Sequence, residues 1–113
     1  MKSIKLLLIV SLLALIGCEE IDKDCPDCIF KKTKEFVKNP ICDTGASVSE
    51  WLFQGEYVYV FADGTCGADI GASVYNQNCE FLEYLGGFAG YTEINGVDFY
   101  QNATRLKIIW EQD

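Results

Sequence analysis

Histidine is absent from the 113 residues, and that absence alone removes a large share of enzyme chemistry. Without an imidazole there is no Ser-His-Asp or Cys-His triad and no histidine ligand for zinc. Basic residues are scarce as well. Nine Lys and Arg stand against 17 Asp and Glu, a net charge of −8. Such a surface repels a phosphate backbone, so nucleic acid is not an expected partner. There is no internal repeat, no low-complexity segment, and after residue 17 no long apolar run. The apolar run before it falls short of the roughly 20 residues that a membrane-spanning helix needs.

That first run has its own meaning. Lys2 and Lys5 precede Leu6-Leu7-Leu8-Ile9-Val10 and Leu12-Leu13-Ala14-Leu15-Ile16, and the small residue Gly17 follows. A basic start, an apolar middle and a small residue at the cut make a secretory leader. The ending Leu15-Ile16-Gly17-Cys18 resembles the bacterial lipobox, which implies cleavage before Cys18 and acyl chains such as palmitate on its sulfur. Two or more chains anchor stably where one does not. The expected partition is residues 1–17 as leader, 18–25 as lipidated cysteine plus flexible acidic tether, and 26–113 as a single domain. Without Lys2 and Lys5, seven basic residues face 17 acidic ones, a charge of −10. Anionic headgroups would repel this body, so lipid must hold it to the membrane. The expected location is the cell envelope, at the outer membrane. The acidic run Glu19-Glu20-Ile21-Asp22-Lys23-Asp24 resembles a signal that sends some lipoproteins to the outer surface.

With Cys18 used for lipid, Cys25, Cys28, Cys42, Cys66 and Cys79 remain. Export exposes them to oxidising conditions, where small domains staple themselves with disulfides. Five is odd, so one stays free or pairs with another chain. The expected bridges are Cys66–Cys79, flanking a segment that should fold back, and Cys42 to Cys28 or Cys25. Cys25-Pro26-Asp27-Cys28 also has the spacing of a redox pair, which at a helix start would have a lowered thiol pKa. Only Glu19 to Asp24 separate it from Cys18, too little for the core strand that precedes such a motif in thioredoxin-like proteins. Zinc is not expected either, because exported thiols tend to oxidise.

The spacing predicts a helix over 26–38. Pro26 suits the first turn, Asp27 and Lys38 complement the dipole, and Ile29, Thr33, Phe36 and Val37 share one face. Lys31, Lys32, Lys34 and Lys38 cover the outside, and Asn39-Pro40 stops it. Residues 48–62 read as a hairpin turning at Gln54-Gly55. Tyr57, Tyr59 and Phe61 lie on one face of its second strand and Val58 and Val60 on the other, which implies a central strand covered on both sides. Short strands follow at 73–76 and 80–85. A short helix is expected over 97–103, begun at Asn95-Gly96, and a last strand at 105–111 with Leu106, Ile108 and Trp110 on one face.

Two glycine-rich stretches invite chemistry and do not sustain it. Asp63 to Asp69 lacks the spacing and closing glutamate of a calcium loop and reads as a turn. Gly86-Gly87-Phe88-Ala89-Gly90 lacks the lysine of a phosphate cradle and reads as a tight turn beside packed aromatics. No catalytic residues, metal ligands or cofactors are assigned.

The stretch from Gln54 to Trp110 resembles a family of small, uncharacterised, exported bacterial proteins. The residues that carry the resemblance are Gln54-Gly55-x-x-Val58-Tyr59, Cys66, Val74-Tyr75-x-x-Asn78-Cys79, the glycine cluster 86–90 and Ile109-Trp110. Where that family carries further cysteines, this chain has Gly67 and Glu83-Tyr84-Leu85, so no disulfide pattern carries over. The resemblance brings no activity with it. The expected architecture is α+β: one N-terminal helix packed on an antiparallel sheet of four or five strands, stapled by disulfides. The expected role is non-enzymatic: a lipid-anchored module that binds an unknown protein or small ligand, or serves the envelope structurally. Two rival classes are a thiol-disulfide protein using Cys25 and Cys28 and an inhibitor of exported hydrolases.

Overall fold

A computed structural model describes residues 20–113. The expected leader, the expected lipidation site Cys18 and Glu19 lie outside the described residues.

Helix α1 spans Asp27–Lys38, with Pro26 at its N-cap. Ile29 and Thr33 are fully buried, and the Thr33 hydroxyl donates to the Ile29 carbonyl at 2.7 Å. That bond satisfies a buried polar group within the helix itself. Asn39 leaves helical geometry at φ −136°, as the residue before a proline is inclined to do.

The sheet is antiparallel, five-stranded, and ordered β4-β3-β2-β1-β7. Its strands are β1 (Ser47–Phe53), β2 (Glu56–Ala62), β3 (Gly71–Asn76), β4 (Phe81–Gly86) and β7 (Ala103–Glu111). Strands β1 and β2 meet through Gln54 at φ 51° and Gly55 at φ 78°, the paired positive angles of a two-residue hairpin turn that matches strand twist. β2 lies in the middle, and Val58, Tyr59, Val60 and Phe61 are all buried. Its two faces feed two separate cores. Val58 and Val60 join Phe53, Val74, Leu85, Ile94 and Phe99. Tyr59 and Phe61 join Val48, Ile109, Trp110 and Ile29 of α1.

The face away from α1 is closed by a second small unit. Strands β5 (Glu93–Ile94) and β6 (Val97–Asp98) form a hairpin that leads into helix α2 (Phe99–Asn102). Asn95-Gly96 is the turn of that hairpin, at φ 52° and 80°, rather than the start of a helix over 97–103. The helix begins two residues later than expected, where the Asp98 carboxylate accepts the Gln101 amide at 2.9 Å. Phe99, fully buried, is the plug this unit inserts into the core.

β7 also departs from simple alternation. Val48 pairs with Trp110 but Ser49 with Ile108, and Glu50 pairs with Lys107 but Trp51 with Arg105. Ile109 and Leu106 are therefore extra residues at two bulges. Ile109 and Trp110 are both buried, whereas Leu106 and Ile108 stay exposed. The expected shared face of Leu106, Ile108 and Trp110 does not form.

The disulfides are Cys28–Cys79 and Cys42–Cys66, with Cα atoms 6.1 and 5.5 Å apart. The expected Cys66–Cys79 bridge does not exist, and neither does one from Cys42 to Cys28 or Cys25. One strand, β3, separates Cys66 from Cys79, which places them at opposite ends of the sheet. Six residues of strand span about 20 Å, and a disulfide tolerates less than 7 Å or so. Cys42 meets Cys66 because the first residue of β1 pairs with the last of β2, Ser47 with Ala62. The two bridges thus fasten α1 in its first turn and just beyond its last.

Candidate functional site

Cys25 and Cys28 are not bonded to each other. Cys28 is held by Cys79, and Cys25 is the free thiol among the described residues. Its thiol donates to the Asp22 carbonyl at 3.5 Å. Burial pushes its pKa up, with a smaller opposing pull from Lys107. A nucleophilic or redox cysteine needs the opposite shift.

Part of the segment expected to be a flexible tether lies against β7. The Asp22 amide donates to the Ile109 carbonyl at 2.8 Å. Lys107 pairs with Asp22 at 3.2 Å and with Asp24 at 3.6 Å. The backbone amide of Asp24, followed by Lys107, holds the Asp22 carboxyl below its usual range. Burial alone would lower the Lys107 pKa, yet its bond and ion pair with Asp22 raise it on balance. Beside this lock the Tyr59 hydroxyl donates to Glu50 at 3.0 Å. Burial first, then that bond, drives the Tyr59 pKa far up, so the phenol stays protonated. A broad depression of about 840 Å³ between this segment, α1 and β7 ends at Glu20, where the described chain begins.

A second recess lies between the later turns of α1 and strands β2 and β3. It holds about 330 Å³, and its walls include Lys32, Phe36, Phe61, Asp63, Ser73 and Tyr75. The aromatic side chains form a continuous edge-to-face series. Phe36 meets Phe61 at 5.5 Å, Phe61 meets Tyr75 at 5.4 Å, and Tyr75 meets Phe81 at 5.7 Å between ring centroids. The Lys32 ammonium sits over the Tyr75 ring, 4.3 Å from its centroid.

Asp63 closes the groove where β2 ends, and only 6% of it is exposed. The Tyr84 hydroxyl donates to its Oδ2 at 2.8 Å and accepts the Gly71 amide at 2.7 Å. The phenol is thereby fully used, and it fixes the carboxylate. Oδ1 accepts no hydrogen bond and Asp63 forms no ion pair among the described residues. Nor do three or more Cys, Asp or Glu gather where they could hold a metal ion, among the described residues.

Sequence reasoning took Asp63 for a turn residue and gave Tyr84 no role. Both positions read as ordinary loop and strand, because the signal is their contact across β3 and not a local motif. The tight turn expected at 86–90 is closed by reciprocal backbone bonds between Gly86 and Tyr91, Gly87 lies against the Tyr84 ring, and Phe88 at the tip is 92% exposed. No described helix is long and apolar enough to cross a membrane.

No curated protein and no solved structure matches the chain. A family model described as a domain of unknown function, DUF6970, matches residues 34–112. That range takes in the end of α1, the whole sheet, the groove except its Lys32 wall and the Cys42–Cys66 bridge, and it leaves out Cys25 and Cys28. The chain belongs to the DUF6970 family.

Proposed function

We propose that the protein is a lipid-anchored module of the cell envelope that binds a partner or ligand and catalyses nothing. The observation that carries this reading is the combination of an export leader ending in Leu15-Ile16-Gly17-Cys18 with two disulfides in the domain behind it. Disulfides persist in compartments that such a leader reaches, so two independent features agree on one address. The role follows from the groove. Two covalent staples hold α1 across the sheet and keep a preformed recess beside it, which suits recognition. Among the described residues, neither Ser73 nor Lys32 in its walls is hydrogen-bonded to a base, the arrangement that covalent catalysis needs. Thiol-disulfide exchange loses support because Cys28 is already bonded to Cys79 and the Cys25 thiol is pushed up. Outer-membrane placement rests on the acidic run after Cys18, although Asp22 and Asp24 have a structural use in binding Lys107.

Metabolic labelling with palmitate, followed by membrane fractionation, tests the address. The parent should carry label and sediment with membranes, and Cys18→Ser should lose both. Equal fractionation of the two proteins would refute it.

A further inference from the structure

We propose that the groove between α1 and strands β2 and β3 binds a small organic ammonium ion, through the Asp63 carboxylate and the rings of Phe36, Phe61 and Tyr75. The proposal rests on the reading of the domain as a binding module and names the class of ligand.

Three observations carry it. Asp63 is almost wholly buried, yet only Oδ2 has a partner, and no cation pairs with it among the described residues. Trp110 Nε1, not Asp63 Oδ1, is the fully buried side-chain atom without a partner among the described residues, so Oδ1 stays open to a ligand, and Tyr84, anchored on the Gly71 amide, holds the carboxylate in place. Second, the wall beside it is aromatic, and cations are attracted to ring faces. The protein already demonstrates this, since the Lys32 ammonium sits over Tyr75 inside the same groove. Third, the sign of charge is right: Glu35 in the wall is paired with Lys38, which leaves Asp63 as its carboxylate without an ion pair among the described residues, and the whole chain is acidic. A hard divalent ion would instead want six or more oxygens, which three aromatic walls cannot supply. The volume of about 330 Å³ is at the small end for ligand pockets, which limits the ligand to a headgroup-sized amine. In this arrangement Lys32 is a built-in rival that a free ammonium displaces.

The experiment uses the full-length protein, purified in a maltoside detergent, with choline as the probe and ring-proton NMR as the readout. Its controls are sodium chloride at equal ionic strength and the uncharged isostere with carbon in place of nitrogen. Choline should shift Phe36, Phe61 and Tyr75 resonances saturably, and neither control should do so. Asp63→Asn should weaken binding roughly tenfold, the scale of one charge-assisted contact. Lys32→Gln should tighten it, because the rival cation is gone. Equal binding of the uncharged isostere, unchanged binding in Asp63→Asn, or weaker binding in Lys32→Gln would each overturn the proposal. The Lys32 arm decides if Asp63→Asn does not fold, since the Lys32 ammonium forms no ion pair among the described residues and Lys32→Gln gives up its contact with the Tyr75 ring. An unlipidated Cys18→Ser protein should bind choline as the parent does, so failure of the anchor and failure of the site are read separately.

Discussion

Cys28, in the first turn of α1, is bonded to Cys79 in the turn between β3 and β4, across 51 residues of sequence. Cys79 takes φ 62° there, an angle that non-glycine residues seldom adopt. The bridge is what brings the start of the helix to the far end of the sheet, while Cys42–Cys66, 24 residues apart, holds the near end. By the loop-closure relation they contribute about 4 and about 3.5 kcal/mol respectively. Urea unfolding checks this. Cys79→Ser should lose more stability than Cys42→Ser, and reductant should leave the double variant unchanged.

Thiol chemistry follows from the same pairing. With Cys18 acylated, unreduced protein in denaturant should take up one equivalent of iodoacetamide, at Cys25. In the native state the same labelling should be slow, because burial raises that thiol. Peptide mapping of the alkylated protein is the check, and label on Cys28 would contradict the pairing.

The two phenylalanines that flank the small β5–β6 unit should behave as opposites. Phe99 is fully buried, so Phe99→Ala should cost about 3–5 kcal/mol by lost burial and cavity formation. Phe88→Ala, at an exposed tip, should stay within about 0.5 kcal/mol of the parent. Thermal melts of the two variants separate them.

Gly71 has no room for a side chain. A Cβ there would lie 2.0 Å from the Leu85 carbonyl oxygen, on the neighbouring strand. Gly71→Ala must push β3 from β4 and draw Tyr84 off its bond to Asp63. Overpacking of this kind costs about 1–3 kcal/mol, and choline binding should fall with it.

The Asp22–Lys107 contact gives a pH dependence at each end of the scale. The Asp22 carboxyl is held below 3.8 in the folded chain. Its contribution is therefore present above that pH and is lost as pH falls through the lower, folded value. Lys107 is raised above 10.5, so its contribution is present below that pH and is lost as pH rises through the higher, folded value. Hydrogen exchange at the Asp22 amide should stay protected between these limits and quicken beyond each. Lys107→Ala should remove the protection at every pH.

Local patterns made much of this fold legible. Gln54-Gly55 announced the hairpin, and a strand apolar on both faces, Tyr57 to Phe61, had to be central. Pro26 and Asn39-Pro40 marked the helix. What escaped were features decided between distant elements. The partner of each cysteine depends on which sheet end its loop occupies, and the bulges at Leu106 and Ile109 appear only in register with β1. Lys107 was one cation in a strand pattern until the fold set it beside Asp22. The groove belongs to the same class, because Asp63, Tyr75 and Tyr84 converge only once β2, β3 and β4 are paired.

Intact mass spectrometry of the protein isolated from cell envelopes decides whether Cys18 is the lipidated N-terminus. The expected polypeptide starts at Cys18, is heavier than its sequence by two or three acyl chains, and has four cysteines in disulfides. An unmodified N-terminus, or one that still carries residues 1–17, would contradict it.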